Sequence, residues 1–330
     1  MIAKQDTVSR SRSCGILGAI GNTPLVKMER LFASVPMEFY AKLEFFNPGG
    51  SAKDRPATAM IEAALKTGKL HKGDTVVESS SGNMGIGLAQ ACRYYGLEFI
   101  CVVDPHAQKQ NLAIIRAHGG KIMMVEEAED GDFLSARLSA VNRLVKQNRS
   151  YYWPNQYANL NNPRSHYKGT IREIDREMNG ELDVLFVATS STGTARGCRD
   201  FLREKNRHTK IVAVDAEGSI LFGGKRGERK IPGLGAGVVS DLARGQQFDT
   251  VERVTDTDCV RGCRKIARLE AVLVGGSSGG IVEAVDRRRS ELKGKTCAAI
   301  FHDSGQRYLD TVFNDEWVKS ELGVKNPETL

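Results

Sequence analysis

Lys53 stands in the run Asn47-Pro48-Gly49-Gly50-Ser51-Ala52-Lys53-Asp54-Arg55-Pro56, between an apolar strand-like stretch (39–45) and an apolar helical pattern (57–65). Asn-Pro-Gly-Gly is a turn with two residues free to adopt φ > 0, and Ser51 is a good N-cap for the helix beyond it. That places Lys53 in the first turn of a helix, where the macrodipole disfavours a positive charge. An amine held against that dipole is a candidate for Schiff-base chemistry, and a solvated first-turn lysine is the alternative.

Three more strand-to-helix turns are built from small hydroxyl and glycine residues: Ser80 to Gly85, Ser190 to Thr194 and Ser277 to Gly280. In a doubly wound sheet such turns gather at the carboxyl ends of the strands, where ligands bind. Their N–H and hydroxyl groups, with helix dipoles behind them, cradle anions. Two such cradles beside a helix-start lysine point to a ligand carrying a phosphate and a carboxylate. Each serine taken alone also reads as an N-cap. A dinucleotide site competes, because Gly82, Gly85 and Gly87 follow a strand and Asp104 lies about 20 residues on. The glycine order is reversed from G-x-G-x-x-G, which argues against it. There is no P-loop sequence, and the six histidines are scattered without ligand spacing, so no metal is expected.

The elements that must position these turns alternate. Strands are expected at 25–28, 39–44, 75–79, 99–103, 121–125, 184–188, 211–214 and 296–301. Helices are expected at 57–65, 86–95, 110–118, 132–146, 165–178, 195–205, 259–270 and 281–289. Such alternation predicts an α/β fold with parallel, doubly wound sheets. The fully apolar run Val184 to Ala188 fits a strand buried on both faces. Residues 151–163, rich in Asn, Pro and aromatics, read as a crossing between domains, and 218–237 as a glycine-rich irregular loop.

Composition narrows the class further. At 330 residues the chain has room for two domains or one large α/β unit. Its net charge of +7 is spread along the chain without interleaved aromatics, which argues against nucleic acid. No apolar run approaches the ~20 residues of a membrane span. Seven cysteines without C-x-x-C spacing, several inside apolar runs, read as reduced thiols of a cytoplasmic protein.

Six ordered motifs carry a resemblance: Gly21-Asn22-Thr23-Pro24-Leu25, Asn47 to Arg55, Ser81-Gly82-Asn83-x-Gly85-Ile86, Gly233-x-Gly235-Ala236-Gly237, Gly276-Ser277-Ser278-Gly279 and Ser304-Gly305-x-Arg307-Tyr308-Leu309. Over about residues 16–312 the chain resembles the cysteine synthase and cystathionine β-synthase family of fold-type II pyridoxal-phosphate enzymes. The resemblance implies two tryptophan synthase β-like domains, a larger one from 1–46 plus 158–330 and a smaller, mobile one from 47–157. It implies pyridoxal 5'-phosphate as cofactor and a homodimer. Lys53 would be the Schiff-base lysine and would move protons at Cα. Asn83 would bond the cofactor's ring oxygen, Ser190, Ser191, Thr192, Gly193 and Thr194 its phosphate, and Ser277 its pyridine nitrogen. Ser80, Ser81, Met84 and Gln156 would face the substrate carboxylate. A neutral hydroxyl at the pyridine nitrogen leaves the electron sink only partly developed, which favours β-elimination over transamination.

Departures from ordinary cysteine synthases point further. Asn83-Met84-Gly85 stands where those enzymes have Asn-Thr-Gly, and Ser190-Ser191-Thr192-Gly193-Thr194 where they have Gly-Thr-Gly-Gly-Thr. These variants, with Cys101 to Pro105 and Asn155 to Asn159, resemble N-(2-amino-2-carboxyethyl)-L-glutamate synthases of staphyloferrin B siderophore and 2,3-diaminopropionate pathways. That group loses phosphate from O-phospho-L-serine and adds the amine of L-glutamate to the resulting aminoacrylate. Two polyanionic substrates need extra cations and donors, for which Arg137, Tyr157 and Ser190 are candidates. Arg137 also reads as a solvated helix residue. Cysteine synthesis from O-phosphoserine or O-acetylserine with sulfide is the alternative. His302-Asp303 replaces a small-residue pair of cysteine synthases and leaves the surroundings of the pyridine nitrogen open.

Overall fold

The computed structural model describes residues 15–128 and 133–330. The N-terminal arm read over 1–13 and the helix start at Asp132 lie outside the described residues. The strands are β1 (Leu25–Lys27), β2 (Glu38–Leu43), β3 (Thr75–Ser79), β4 (Glu98–Val103), β5 (Lys121–Met124), β6 (Tyr151–Tyr152), β7 (Val184–Ala188), β8 (Lys210–Ala216), β9 (Thr250–Val254) and β10 (Thr296–Phe301). They form two sheets: a larger one in the order β1-β2-β10-β7-β8-β9 and a smaller one in the order β5-β4-β3-β6. Every pairing is parallel except β1 with β2. The expected α/β class with mostly parallel sheets is what the chain adopts.

The helices that matter here are α1 (Asp54–Lys66), α2 (Asn83–Tyr95), α3 (Lys109–Ala117), α4 (Phe133–Gln147), α5 (Asn161–Lys168), α6 (Thr170–Glu177), α7 (Gly193–Glu204), α8 (Asp256–Glu270), α9 (Gly276–Arg287) and α10 (Asp315–Leu322). Period-2 alternation sends each strand's side chains to two helical layers. Val184, Phe186 and Ala188 of β7 join one core with α8 and α9, while Leu185 and Val187 join another with α6 and α7. In the smaller sheet Val76, Phe99, Cys101 and Val103 pack on α1, α2 and α3, and Val77 and Val102 pack on α4. Both faces of each sheet are covered, which is why these strands read as continuous apolar runs.

Several boundaries differ from the sequence reading. The helix expected over 165–178 is two helices, α5 and α6, broken at Gly169, whose φ of −115° and ψ of −89° are not helical. The strands β6 and β9 and the helix α10 were not expected; β6 has two residues and β9 alternates only weakly in burial. Ser51 is not the N-cap of α1. Lys53 takes that position, and its N–H donates back to Ser51 Oγ at 3.2 Å.

Candidate active site

Lys53 leaves β2, Asp303 follows β10 and Ser190 follows β7, and these three strands are neighbours in the larger sheet. Their carboxyl ends, with the N-termini of α2, α7 and α9, enclose a cleft lined by Lys53, Asn83, Ser190 to Thr194, Pro232, Gly233, Ser277, His302 and Asp303. Three helix N-termini aimed at one cleft make it an anion site.

The side-chain amine of Lys53 makes no hydrogen bond or ion pair among the described residues. Burial pulls its amine below the ordinary lysine value, partly offset by the charges of Asp303 and Glu44. A lowered value makes the uncharged, nucleophilic form of the amine more accessible. The next residue but one is treated oppositely. The Arg55 guanidinium bonds Glu44 at 2.7 and 2.8 Å and Glu173 at 2.7 and 2.8 Å, which ties α1 to the turn just after β2 and to α6.

The phosphate-type cradle is anchored from behind. Asn162 Nδ2 donates to the Gln156 carbonyl at 2.8 Å and to Ser191 Oγ at 3.3 Å. A Cβ at Gly193 would collide with that Asn162 amide, so only glycine fits there. Thr192 has φ of 66° and holds Gln246 Nε2 on its hydroxyl at 3.0 Å. Thr194 Oγ1 lies 3.2 Å from His166 Nε2. His166 is kept well below its ordinary value by burial and by the charge of Lys53, so its ring is neutral.

His302 and Asp303 carry open valences. Asp303 Oδ1 has no partner among the described residues and the His302 ring nitrogens make no hydrogen bond of full geometry, the ring having only a weak approach to the Ile300 backbone, although all three atoms are buried. Burial and the nearby Lys53 amine push the His302 imidazole down to about 3. Burial pushes the Asp303 carboxyl up against the opposing hydrogen bonds of Tyr308 and Asn83. Buried polar atoms without partners are costly unless a ligand or water satisfies them. Both residues line the same cleft as the lysine and the anion cradle, and a phosphate-bearing pyridine aldehyde fits that donor set.

The substrate-side residues are placed differently. Ser80, Ser81, Gln156, Arg137 and Tyr157 lie outside the lining of that cleft, at the carboxyl edge of the smaller sheet or in the crossing after it. The Ser80 hydroxyl accepts from Gly85 N at 3.0 Å, so part of its role is to cap the turn. Gln156 is held by its own N–H to Glu78 at 3.1 Å and by Nε2 to the Ser79 carbonyl at 3.2 Å. Arg137 is not a solvated helix residue. Its side chain is 13% exposed, pairs with Asp104 at 3.1 Å and reaches Ser81 Oγ at 3.5 Å. Tyr157 is half-buried, and its carbonyl accepts from Leu242 N at 3.0 Å. Met84, the second residue of α2, is 2% exposed, and its side chain packs in the core of the smaller sheet.

Sequence reasoning gave no role to Glu78, Asn162, His166 or Arg307. Arg307 and Tyr308 did stand inside a quoted motif; Asn162 and His166 carried no local signal. The lysine, the anion cradle and the unsatisfied polar atoms at the ends of adjacent parallel strands define a pyridoxal-phosphate site of fold type II. The pyridoxal-phosphate dependent enzyme family matches residues 16–303, and the chain belongs to it, in its cysteine synthase and cystathionine β-synthase-like branch.

Three solved structures are similar over nearly their whole length. A hydrogen sulfide-producing enzyme from Fusobacterium nucleatum is 32% identical with a TM-score of 0.85, covering 91% of this chain and 99% of that one. An O-acetylserine dependent cystathionine β-synthase from Helicobacter pylori is 30% identical with a TM-score of 0.85, covering 92% and 99%. An O-ureido-L-serine synthase is 28% identical with a TM-score of 0.86, covering 95% and 99%. Among the described residues no helix is long and apolar enough to cross a membrane, and no group of three His, Cys, Asp or Glu could hold a metal.

Proposed function

We propose that this enzyme replaces the β-substituent of O-phospho-L-serine with the amine of L-glutamate, giving N-(2-amino-2-carboxyethyl)-L-glutamate, a precursor of 2,3-diaminopropionate for siderophore biosynthesis. The observation that carries the reading is the position of Arg137. Its guanidinium is withdrawn from solvent and directed at Ser81, where sulfide as co-substrate would have no use for a cation. Asp104 balances part of that charge at 3.1 Å and leaves further donors on the fork for a carboxylate or phosphate. The side chain of Ser190, where the resemblance expects glycine in cysteine synthases, adds a hydroxyl at the cleft. The O-ureido-L-serine neighbour bears a name that is not a sulfur product, so the fold is not confined to sulfide chemistry.

Bound pyridoxal phosphate supplies an electron sink for the bonding pair released at Cα. Lys53 holds the cofactor and carries the proton at Cα, as its unpaired amine with a lowered pKa allows. The N–H groups of 190–194, at the start of α7, bind the phosphate. Ser277 faces the pyridine nitrogen, and Asn83 the ring oxygen. Ser80, Ser81 and Gln156 hold the substrate carboxylate, while Arg137 and Tyr157 take the second substrate's anionic groups. The part from 47 to 157 closes over the cleft and excludes water. The protein acts in the cytoplasm as a homodimer.

The test is product analysis with O-phospho-L-serine plus either L-glutamate or sulfide. Phosphate release with the glutamate adduct supports the proposal. Cysteine formed from sulfide, with no adduct from glutamate, overturns it in favour of a cysteine synthase.

A further inference from the structure

Asn83 is held at both ends of its amide. Arg307 Nη1 donates to Asn83 Oδ1, and Asn83 Nδ2 donates to Asp303 Oδ2 at 2.7 Å. Arg307 has only donors, so the amide oxygen must face it and the nitrogen must face Asp303. Asp303 Oδ2 also accepts from the Tyr308 hydroxyl, and Arg307 Nη2 donates to the Gly49 carbonyl. The carboxylate itself is wedged in place: a Cβ on Gly275 would collide with Asp303 Oδ1. The acceptor end of Asn83 is thus occupied. Its nitrogen has two hydrogens and gives one to Asp303, which leaves a single N–H for the cleft. Arg307 and Asp303 both follow β10 in the larger sheet, whereas Asn83 opens α2 against the smaller one. The orientation of Asn83 is imposed from across the cleft.

We propose that Asp303 and Arg307 are positioning residues that fix Asn83 as a hydrogen-bond donor toward the negatively charged ring oxygen of the cofactor. The proposal rests on the reading of Asn83 as a cofactor contact and is independent of which substrates are used. Without the two partners the amide is free to turn its oxygen toward the cofactor, where two acceptors would meet. A donor at that place favours the ionised ring oxygen and so sets the pH dependence of the cofactor's visible absorbance.

The experiment is the visible spectrum of the cofactor-loaded enzyme against pH, for wild type, Arg307→Met, Asp303→Ala, Asn83→Ala and the doubles Asn83→Ala/Arg307→Met and Asn83→Ala/Asp303→Ala. Arg307→Met and Asp303→Ala each move the midpoint of the band by about one unit or more, the size expected for one lost hydrogen bond to a charged oxygen. In the Asn83→Ala background Arg307→Met adds nothing to that shift, because it acts through the amide, and Asp303→Ala keeps only the part that its charge exerts directly on Lys53. Arg307→Lys, which keeps a donor for Asn83 Oδ1, recovers part of the midpoint. Unmoved midpoints in the single variants, or full additivity with Asn83→Ala, overturn the proposal. The cycle on Asp303 and the cycle on Arg307 decide independently, so one variant that fails to fold leaves the other. A midpoint unmoved by Asn83→Ala itself overturns the cofactor contact, whereas a failed glutamate assay touches only the substrate reading.

Discussion

Two buried polar clusters flank Lys53, and they are built on opposite principles. On one side Arg55 shares two carboxylates, Glu44 and Glu173, and Lys42 adds a bond to Glu173 at 3.1 Å and to Glu177 at 2.9 Å. Burial alone would raise Glu44 and Glu173, yet Arg55 holds both below the ordinary carboxylate value. Each of those carboxylates has its partner. On the other side Asp303 and His302 keep buried atoms without a full hydrogen bond and line the cleft. The closed cluster fixes where α1 begins and therefore where Lys53 sits. The open cluster keeps valences in reserve for a ligand. A buried ionic group thus reads as structural when its hydrogen bonds are complete and as functional when they are not.

Breaking the open side at its centre has the largest effect on chemistry. Lys53→Ala is expected to lower β-replacement on the order of 10⁴-fold or more, measured as phosphate release, while circular dichroism stays native. Loss of the native spectrum would place Lys53 in the closed cluster instead. Breaking the closed side has the largest effect on stability. Arg55→Leu takes the ion-pair partner from buried Glu44 and leaves Glu173 with Lys42 alone, and is expected to cost about 3–5 kcal/mol in denaturant unfolding. A loss below about 1 kcal/mol would mean the network is solvated.

Arg137 sits between the two kinds, with one charged partner in Asp104, long contacts to Ser81 Oγ and the Phe133 carbonyl, and donors to spare. Arg137→Leu is expected to reduce kcat/KM for the second substrate by about 10–100-fold, the worth of one or two charge-assisted hydrogen bonds. An equal loss in phosphate release with no second substrate would assign Arg137 to the phosphoserine side.

The smallest effect concerns pH. Burial pushes Glu78 up to about 7 against the hydrogen bonds of Trp153 and Gln156, and pushes Asp54 up to about 7 against the Gly49 N–H. Both carboxyls are favoured in the folded state when protonated. Their contribution is complete below the ordinary carboxylate values and is lost as pH rises through about 7. Glu44 and Glu173 behave oppositely and lose theirs as pH falls through their lowered values. The melting temperature is therefore expected to decline between about pH 5 and about pH 8, and to decline less in Glu78→Gln. Identical slopes in the two proteins would show that Glu78 titrates normally.

Much of this was legible in the residues. Lys53, Asn83, Ser190 to Thr194 and Ser277 lie in turns whose composition marks them, and all of them meet in one cleft. The strands of both sheets followed from their apolar runs, except β6 and β9, which are short or weakly patterned. A motif gives the position of a residue and not the direction of its side chain, and the helical turn of α2 points the Met84 side chain into the core. Arg137 was left open between solvent and site, because its partner Asp104 lies on a different element.

The sequence by itself determined which residues hold chemistry: an amine at a helix start, hydroxyl-rich turns after apolar strands, and the order in which they occur. Turn chemistry and alternation are local, acting over a few residues. Only the tertiary structure decided which of those turns share a cleft, and that Asp303 and Arg307 hold Asn83. Asn83 and Asp303 are 220 residues apart, and their contact exists because β10 inserts between β2 and β7 and carries residues 302–307 to the mouth of α2. Strand order is a property of the packed sheets, and no local pattern of residues encodes it.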